Sequence, residues 1–140
     1  SLMQQLGLGP ISHQAYAELS DGQRRRLLIA RALVHGPEVL VLDEPSRALD
    51  LRACHQLMGY LQRLCRNGTT VVQVTHRIDT IIPEMKRVLF LKDGRICGDG
   101  PPETMLIGTK LSQLFSTPLT VVESGGFRQV LPNGPISDAW

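Results

Sequence analysis

The chain has 140 residues, 42% of them apolar, with fifteen Lys and Arg against thirteen Asp and Glu, a formal net charge of +2. This suits one ordinary globular domain, and so small a net charge gives no support to a nonspecific nucleic-acid binder or a polybasic membrane-surface protein. No apolar run approaches the roughly 18 residues of a membrane span, no signal-peptide pattern opens the chain, and its cysteines include no Cys-x-x-Cys, against a disulfide scaffold or zinc ribbon.

Composition thus predicts a soluble protein of a reducing compartment. The chain opens on Ser1, with Met3 inside an apolar stretch, so the expectation is an excerpt of a longer protein. The stretch Leu2–Leu8 gives way to a Gly9-Pro10 break and a polar approach to Leu19. Ser20 with Gln23 three residues later forms a capping box, and Leu27, Ala30, Leu33 and Val34 recur at helical spacing. His35-Gly36-Pro37 stops the pattern, which predicts a helix over 21–35. Val39-Leu40-Val41-Leu42 reads as a strand buried on both faces of a parallel sheet, ending on Asp43-Glu44-Pro45.

Asp50 caps a second predicted helix with Leu51, Cys54, Leu57, Met58, Leu61, Leu64 and Cys65 on one stripe, ended by Asn67-Gly68. Both cysteines of that stripe are expected in the core. Thr69–Thr75 is a β-branched strand followed directly by His76. A short helix is expected around 78–84 and a strand over 87–91, with Asp93-Gly94 turning the chain into Arg95-Ile96-Cys97. One or two short helices should follow Gly100-Pro101-Pro102 to about Ser116. A hairpin of 119–122 and 127–131 around Ser124-Gly125-Gly126 then leads to a tail, 132–140, that reads as a surface strap or a plain chain end. The alternation of helices and strands is α/β.

Ligands in open α/β sheets sit outside the carboxyl ends of the strands. Asp43 and Glu44 close one strand and His76 the next, so two carboxylates and an imidazole should share one rim. A strand-end Asp after a buried apolar run suits a hard Mg²⁺ ion, and a second carboxylate can polarise a water. Leu19-Ser20-Asp21-Gly22-Gln23 opens a helix whose N–H groups and partial positive charge suit an anion, Gly22 leaving room for a phosphate. Taken singly, each feature has a plain structural reading: a strand end, a capping box, a loop histidine. Arg24, Arg25, Arg26 and Arg31 cluster on this helix with no acid between them, and two readings of the cluster weigh equally: a solvated helix face, and phosphate or interface contacts.

In order, these segments with Ala30-Arg31-Ala32-Leu33, Val41-Leu42-Asp43-Glu44-Pro45-Ser46-Arg47-Ala48-Leu49-Asp50 and Val74-Thr75-His76-Arg77 resemble the ATP-binding cassette (ABC) ATPases over roughly residues 1–100. The resemblance implies a partial P-loop NTPase three-layer fold: the signature helix plus the C-terminal part of a mainly parallel sheet. It divides the chain into 1–37 (remnant of a helical subdomain), 38–100 (a core with Walker B, D-loop and His) and 101–140 (C-terminal helices and hairpin). It implies ATP and Mg²⁺ as cofactors. Ser20, Gly22 and Gln23 would contact the γ-phosphate of ATP held by a second cassette in a head-to-tail dimer. Asp43 would be the metal ligand, Glu44 the general base or water-positioning carboxylate, and His76 the switch histidine. Asp50 would close the D-loop that crosses the dimer seam.

Asp21 stands where the family usually has Gly, and Arg47 where a small Ser is common. None of the lysines, at 86, 92 and 110, follows a glycine, so these residues contain no Gly-x-x-x-x-Gly-Lys phosphate loop. The expectation is an N-terminal half with the P-loop outside this chain, and no ATP turnover by the 140 residues alone. The implied parent is the nucleotide-binding subunit of an ABC transporter, peripheral on the inner, cytoplasmic face of the cell membrane beside a transmembrane permease. The alternatives are an ABC-type ATPase acting on nucleic acid or ribosomes, and a degenerate cassette without hydrolysis. Intact Asp43, Glu44 and His76 argue against the last.

Overall fold

The computed structural model describes residues 2–134 and shows the α/β architecture expected. The chain forms two compact units, one ending at His76 and the other beginning at Arg77. In the first, α1 (Leu2–Gln5) and two single 3₁₀ turns precede α2 (Asp21–Leu33). The capping box is formed in both directions: Ser20 Oγ accepts from the Gln23 N–H at 3.3 Å, and Gln23 Oε1 accepts from the Ser20 N–H at 2.8 Å. The helix ends two residues before the predicted boundary, because Gly36 is already left-handed at φ +58° and Pro37 follows. Its buried face is Ile29, Ala30 and Leu33, while Val34 is exposed.

β1 (Val39–Asp43) and β2 (Thr70–Val74) pair in parallel, Val39 opposite Thr70 and Asp43 opposite Val74. Parallel neighbours need a crossover, supplied here by α3 (Leu51–Arg66). Asp50 caps α3 by accepting the Ala53 N–H at 2.7 Å, and Asn67 with left-handed Gly68 ends it. α3 buries Ala53, Cys54, Leu57 and Leu61, whereas Leu51, assigned to the same stripe, is exposed. The expectation that β1 is buried on both faces is corrected. Leu40 and Leu42 are buried, but Val39 and Val41 are 56% and 66% exposed, on the same face as exposed Val72 and Val74. An unbroken apolar run shows that both faces are apolar; covering each face takes a second layer, which the run itself does not contain.

In the second unit, β3 (Val88–Lys92) pairs antiparallel with β4 (Arg95–Gly100). After α4 (Pro102–Met105) and α5 (Gly108–Phe115), β5 (Leu119–Ser124) pairs antiparallel with β6 (Phe127–Pro132). Among the described residues, β1 and β2 thus pair in parallel, and the two strand pairs of the second unit are antiparallel. The cause is local: Asp93-Gly94 and Gly125-Gly126 each put two consecutive residues at positive φ, the geometry of two-residue hairpin turns. The predicted helix at 78–84 is one 3₁₀ turn, Ile78–Thr80. Pro83 cannot donate, and it biases Ile82 away from helical geometry. Phe90, Met105, Leu106 and Leu111 form the core of this unit. Of the predicted tail, residues 135–140 lie outside the described residues.

Candidate functional site

The parallel register of β1 and β2 sets the exits of the two strands side by side. Beyond Asp43 the chain stays tied to β2 for one more bond, from the Glu44 N–H to the Val74 carbonyl at 2.8 Å. Glu44 then bends left-handed, at φ +45°. The bend turns its carboxylate back toward the end of β2. There Oε1 accepts the His76 backbone N–H at 2.9 Å and lies 2.6 Å from His76 Nδ1, while Oε2 accepts from Thr75 Oγ1 at 3.3 Å. The rim expected from the sequence thus exists for Glu44 and His76, with Thr75 as a third member that the sequence did not single out.

Burial pushes the Glu44 carboxyl up, but the two hydrogen bonds and the charge of His76, with a hydrogen bond from Thr75, outweigh it and hold the carboxyl below its usual value. It is therefore ionised at neutral pH. An ionised carboxylate only accepts, so His76 Nδ1 carries the shared proton and Nε2 is the ring nitrogen left for another partner. The His76 side chain is 74% exposed and that of Glu44 22%, so the imidazole is the open member of the pair.

The Glu44 bend is unfavourable by itself. A residue before proline prefers extended backbone, and a non-glycine residue held left-handed costs on the order of 1–3 kcal/mol. The opposing contacts come from α2: Arg25 Nη2 donates to the Asp43 carbonyl and, at 2.6 Å, to the Glu44 carbonyl. Its neighbours also serve main-chain carbonyls. Arg24 reaches Tyr16 and Ala17 (3.3 and 2.9 Å), its guanidinium lying 5.6 Å from the Tyr16 ring centre, and Arg26 reaches Leu6 at 3.2 Å. Three of the four arginines are thus structural donors rather than a solvated face. The absence of an acid among Arg24, Arg25 and Arg26 was the sequence signal, but it does not reveal carbonyl acceptors.

The remaining predicted residues gather elsewhere in the same unit. Ser20, Gly22 and Asp50 line a cleft of about 390 Å³ where the N-termini of α2 and α3 meet, with Asp21, Arg26 and Ala48. Gly22 has a packing reason beyond leaving space for a phosphate: a Cβ there would stand 2.9 Å from the Ala48 carbonyl oxygen. Asp21 is 84% exposed by side chain and lies 3.5 Å from Arg24. Gln23 and Asp50 are already engaged as capping partners.

Asp43 lies at the open end of β1, on the exposed face it shares with Val39 and Val41. Its carboxylate has no hydrogen-bonding partner among the described residues. No group of three or more His, Cys, Asp or Glu side chains able to hold a metal is found among them. That donor set fits Mg²⁺ only in its usual protein mode, one or two carboxylates completed by phosphate oxygens and water.

Residues 1–47 match the sequence family described as ABC transporter. The ABC transporter ATP-binding protein YlmA of Bacillus subtilis is 37% identical over 123 residues, covering 86% of this chain and 47% of that protein. The glutamine transport ATP-binding protein GlnQ of Escherichia coli is 38% identical over 105 residues, 75% of this chain and 44% of GlnQ. Among solved structures, an inward-facing ABC transporter of the metal-chelate type superposes with a TM-score of 0.78 at 26% identity, over 95% of this chain and 55% of that one. The dimeric cassette MJ0796 in a post-hydrolysis state, bound to ADP and Pi, gives 0.66 at 31% identity, over 71% and 44%. Motif order, sequence likeness and fold agree in supporting an ABC ATPase cassette over the part that the chain spans. It spans about half the length of the curated relatives it matches.

Proposed function

We propose that this chain supplies the signature helix, Walker B strand, D-loop and switch histidine of an ATP-hydrolysing cassette that serves as the nucleotide-binding part of an ABC transporter. The observation that carries the reading is the Glu44–His76 contact of 2.6 Å at the paired ends of β1 and β2. Glu44, ionised and fixed from two sides, orients an attacking water and takes up its proton. His76, held through Nδ1, presents Nε2 to the γ-phosphate. Asp43 is the residue that would hold Mg²⁺, which when bound would neutralise charge on the phosphates. Phosphoryl transfer asks for positioning and charge stabilisation above all, and this rim offers both.

The cleft at Ser20, Gly22 and Asp50 is assigned to the γ-phosphate and seam of a second cassette; the dimer of MJ0796 supports that reading. For Ser20 Oγ and Gln23 to meet a phosphate, the bonds of the capping box must open or be shared. The division into 1–37, 38–100 and 101–140 belongs to the same proposal. So do the P-loop supplied from outside these residues, the permease partner and a place on the cytoplasmic face of the membrane. The transporter names of the relatives support the permease.

The test is ATP hydrolysis by a cassette combining this chain with a P-loop segment. Glu44→Gln should lower turnover by about 10²–10⁴-fold with nucleotide binding retained. Turnover equal to the parent would sink the hydrolytic reading. The 140-residue chain by itself should show no steady turnover, and turnover there that Glu44→Gln abolishes would overturn the need for an outside P-loop.

A further inference from the structure

We propose that Arg25 is a positioning residue for this reaction: its guanidinium, bridging the carbonyls of Asp43 and Glu44, maintains the left-handed bend that aims the Glu44 carboxylate at His76. Its consequence for hydrolysis rests on the reading above; the contact itself rests on geometry alone.

Both polar main-chain atoms of Glu44 are held. The N–H is fixed to Val74, and the carbonyl accepts from Arg25 at 2.6 Å and from the Arg47 N–H at 3.1 Å. The Arg47 bond lies within the turn and travels with it. Arg25 is the only one of these partners that comes from a helix, and it alone also fixes the preceding carbonyl of Asp43. One Nη nitrogen carries two hydrogens, so a single guanidinium corner can serve two successive carbonyls, which a rigid planar donor does with little loss of freedom. The conformation it holds is one that Pro45 disfavours for Glu44.

Arg25 therefore connects two parts of the proposed machinery. It rises from the first turns of α2, beside Ser20, Gly22 and Gln23, and ends on the backbone of the residue that orients water. A guanidinium whose two bonds both go to neutral carbonyls leaves the Glu44 carboxylate to His76 and Thr75. Arginine thus sets the direction of the carboxylate without pairing with it.

The first experiment is nitrogen-15 and proton NMR of the 140-residue chain at one neutral pH. The parent should show His76 as the Nδ1–H tautomer with a downfield hydrogen-bonded ring proton. Arg25→Met should lose that signature while the amide resonances of β5 and β6 stay in place, and Arg25→Lys, which keeps a donor, should recover part of it. In the cassette with a P-loop, Arg25→Met should lower kcat by on the order of 10- to 100-fold. KM for ATP should stay within about twofold, the pattern for an interaction needed only in the transition state.

An unchanged His76 signature in Arg25→Met overturns the proposal, as does a lysine variant that recovers nothing. If Arg25→Met does not fold, Arg25→Gln, too short to span both carbonyls, is read in the same way. Glu44→Gln separates the two failures. If it hydrolyses ATP like the parent, the hydrolytic reading fails. If it is inactive while Arg25→Met keeps full kcat, the role of Arg25 fails.

Discussion

In the hairpins of the second unit, left-handed residues occur where their chemistry favours them. Asp93 precedes Gly94, and Gly125 precedes Gly126. Ser116 closes α5 with Lys92 Nζ beside its hydroxyl at 3.3 Å and on the Leu114 carbonyl at 3.1 Å. Between β1 and α3 the left-handed residues are Glu44, immediately before a proline, and Ala48, whose methyl offers no compensating bond. Ser46, between them, is 2% exposed, and its hydroxyl finds no partner among the described residues. Turns that merely connect strands follow local preference, whereas the turn that aims Glu44 is imposed by its surroundings. Backbone strain of this kind persists where neighbouring contacts over-determine it, and it clusters at functional sites.

The broadest challenge to that contrast is that the two units differ in packing rather than in turns. Leu61 in α3 and Leu111 in α5 are 1% and 0% exposed. Each Leu→Ala change should cost about 2–5 kcal/mol in thermal or urea unfolding. A loss in one unit much smaller than in the other would place the difference in the cores and break the comparison.

Next in size is a contrast between two helical glycines of the first unit. Gly22→Ala should destabilise by about 1–3 kcal/mol, because the new Cβ meets a backbone oxygen rather than a yielding side chain. Gly59→Ala in α3 meets nothing within 4 Å and should stabilise by about 0.5–1 kcal/mol through helix propensity. Equal effects would deny that α2 is pressed against the turn at Ala48.

The strain itself can be probed more gently. Ala48→Gly should raise stability by about 0.5–1 kcal/mol, the relief of a left-handed alanine exceeding the entropy that glycine adds to the unfolded chain. Asp93→Gly, in a turn already suited to its residues, should change the melting temperature little. The reverse order would remove the distinction between imposed and preferred turns.

Most of what carries the fold was legible because its causes are local. Ser20 and Gln23 specified a capping box, Asp50 a helix start, and Asp93-Gly94 a hairpin turn, each through bonds to near neighbours. Glu44 and His76 could be placed on one rim because a βαβ unit puts consecutive strand ends together. The exposure of Val39 and Val41 was not legible, since it depends on a covering layer. The bonds of Arg25, Arg24 and Arg26 were not legible either, because backbone carbonyls are present at every position and only the folded path selects which ones an arginine meets. Thr75 escaped for a similar reason: a β-branched residue in a β-branched run carries no mark of its hydroxyl's partner.

The smallest expected effect is in pH and salt, and it tests the same contrast through two carboxylates. Glu44 is held below its usual value against the opposing effect of burial. Asp99 is lowered by the hydrogen bonds and charge of Arg87, in an exposed pair with contacts of 2.8 and 2.6 Å. For both groups the folded state binds the proton less readily than the unfolded state. Each therefore contributes stability above the unfolded-state pKa, and that contribution disappears as pH falls through the lower folded-state value. Glu44→Gln and Asp99→Asn should each flatten the acid limb of the melting curve. Added salt should reproduce much of the Asp99→Asn effect, because that pair is screened by solvent, and little of the Glu44→Gln effect, because the Glu44 side chain is only 22% exposed. Equal salt sensitivity would mean that Glu44 is held by surface charge rather than by the hydrogen bonds that fix its direction.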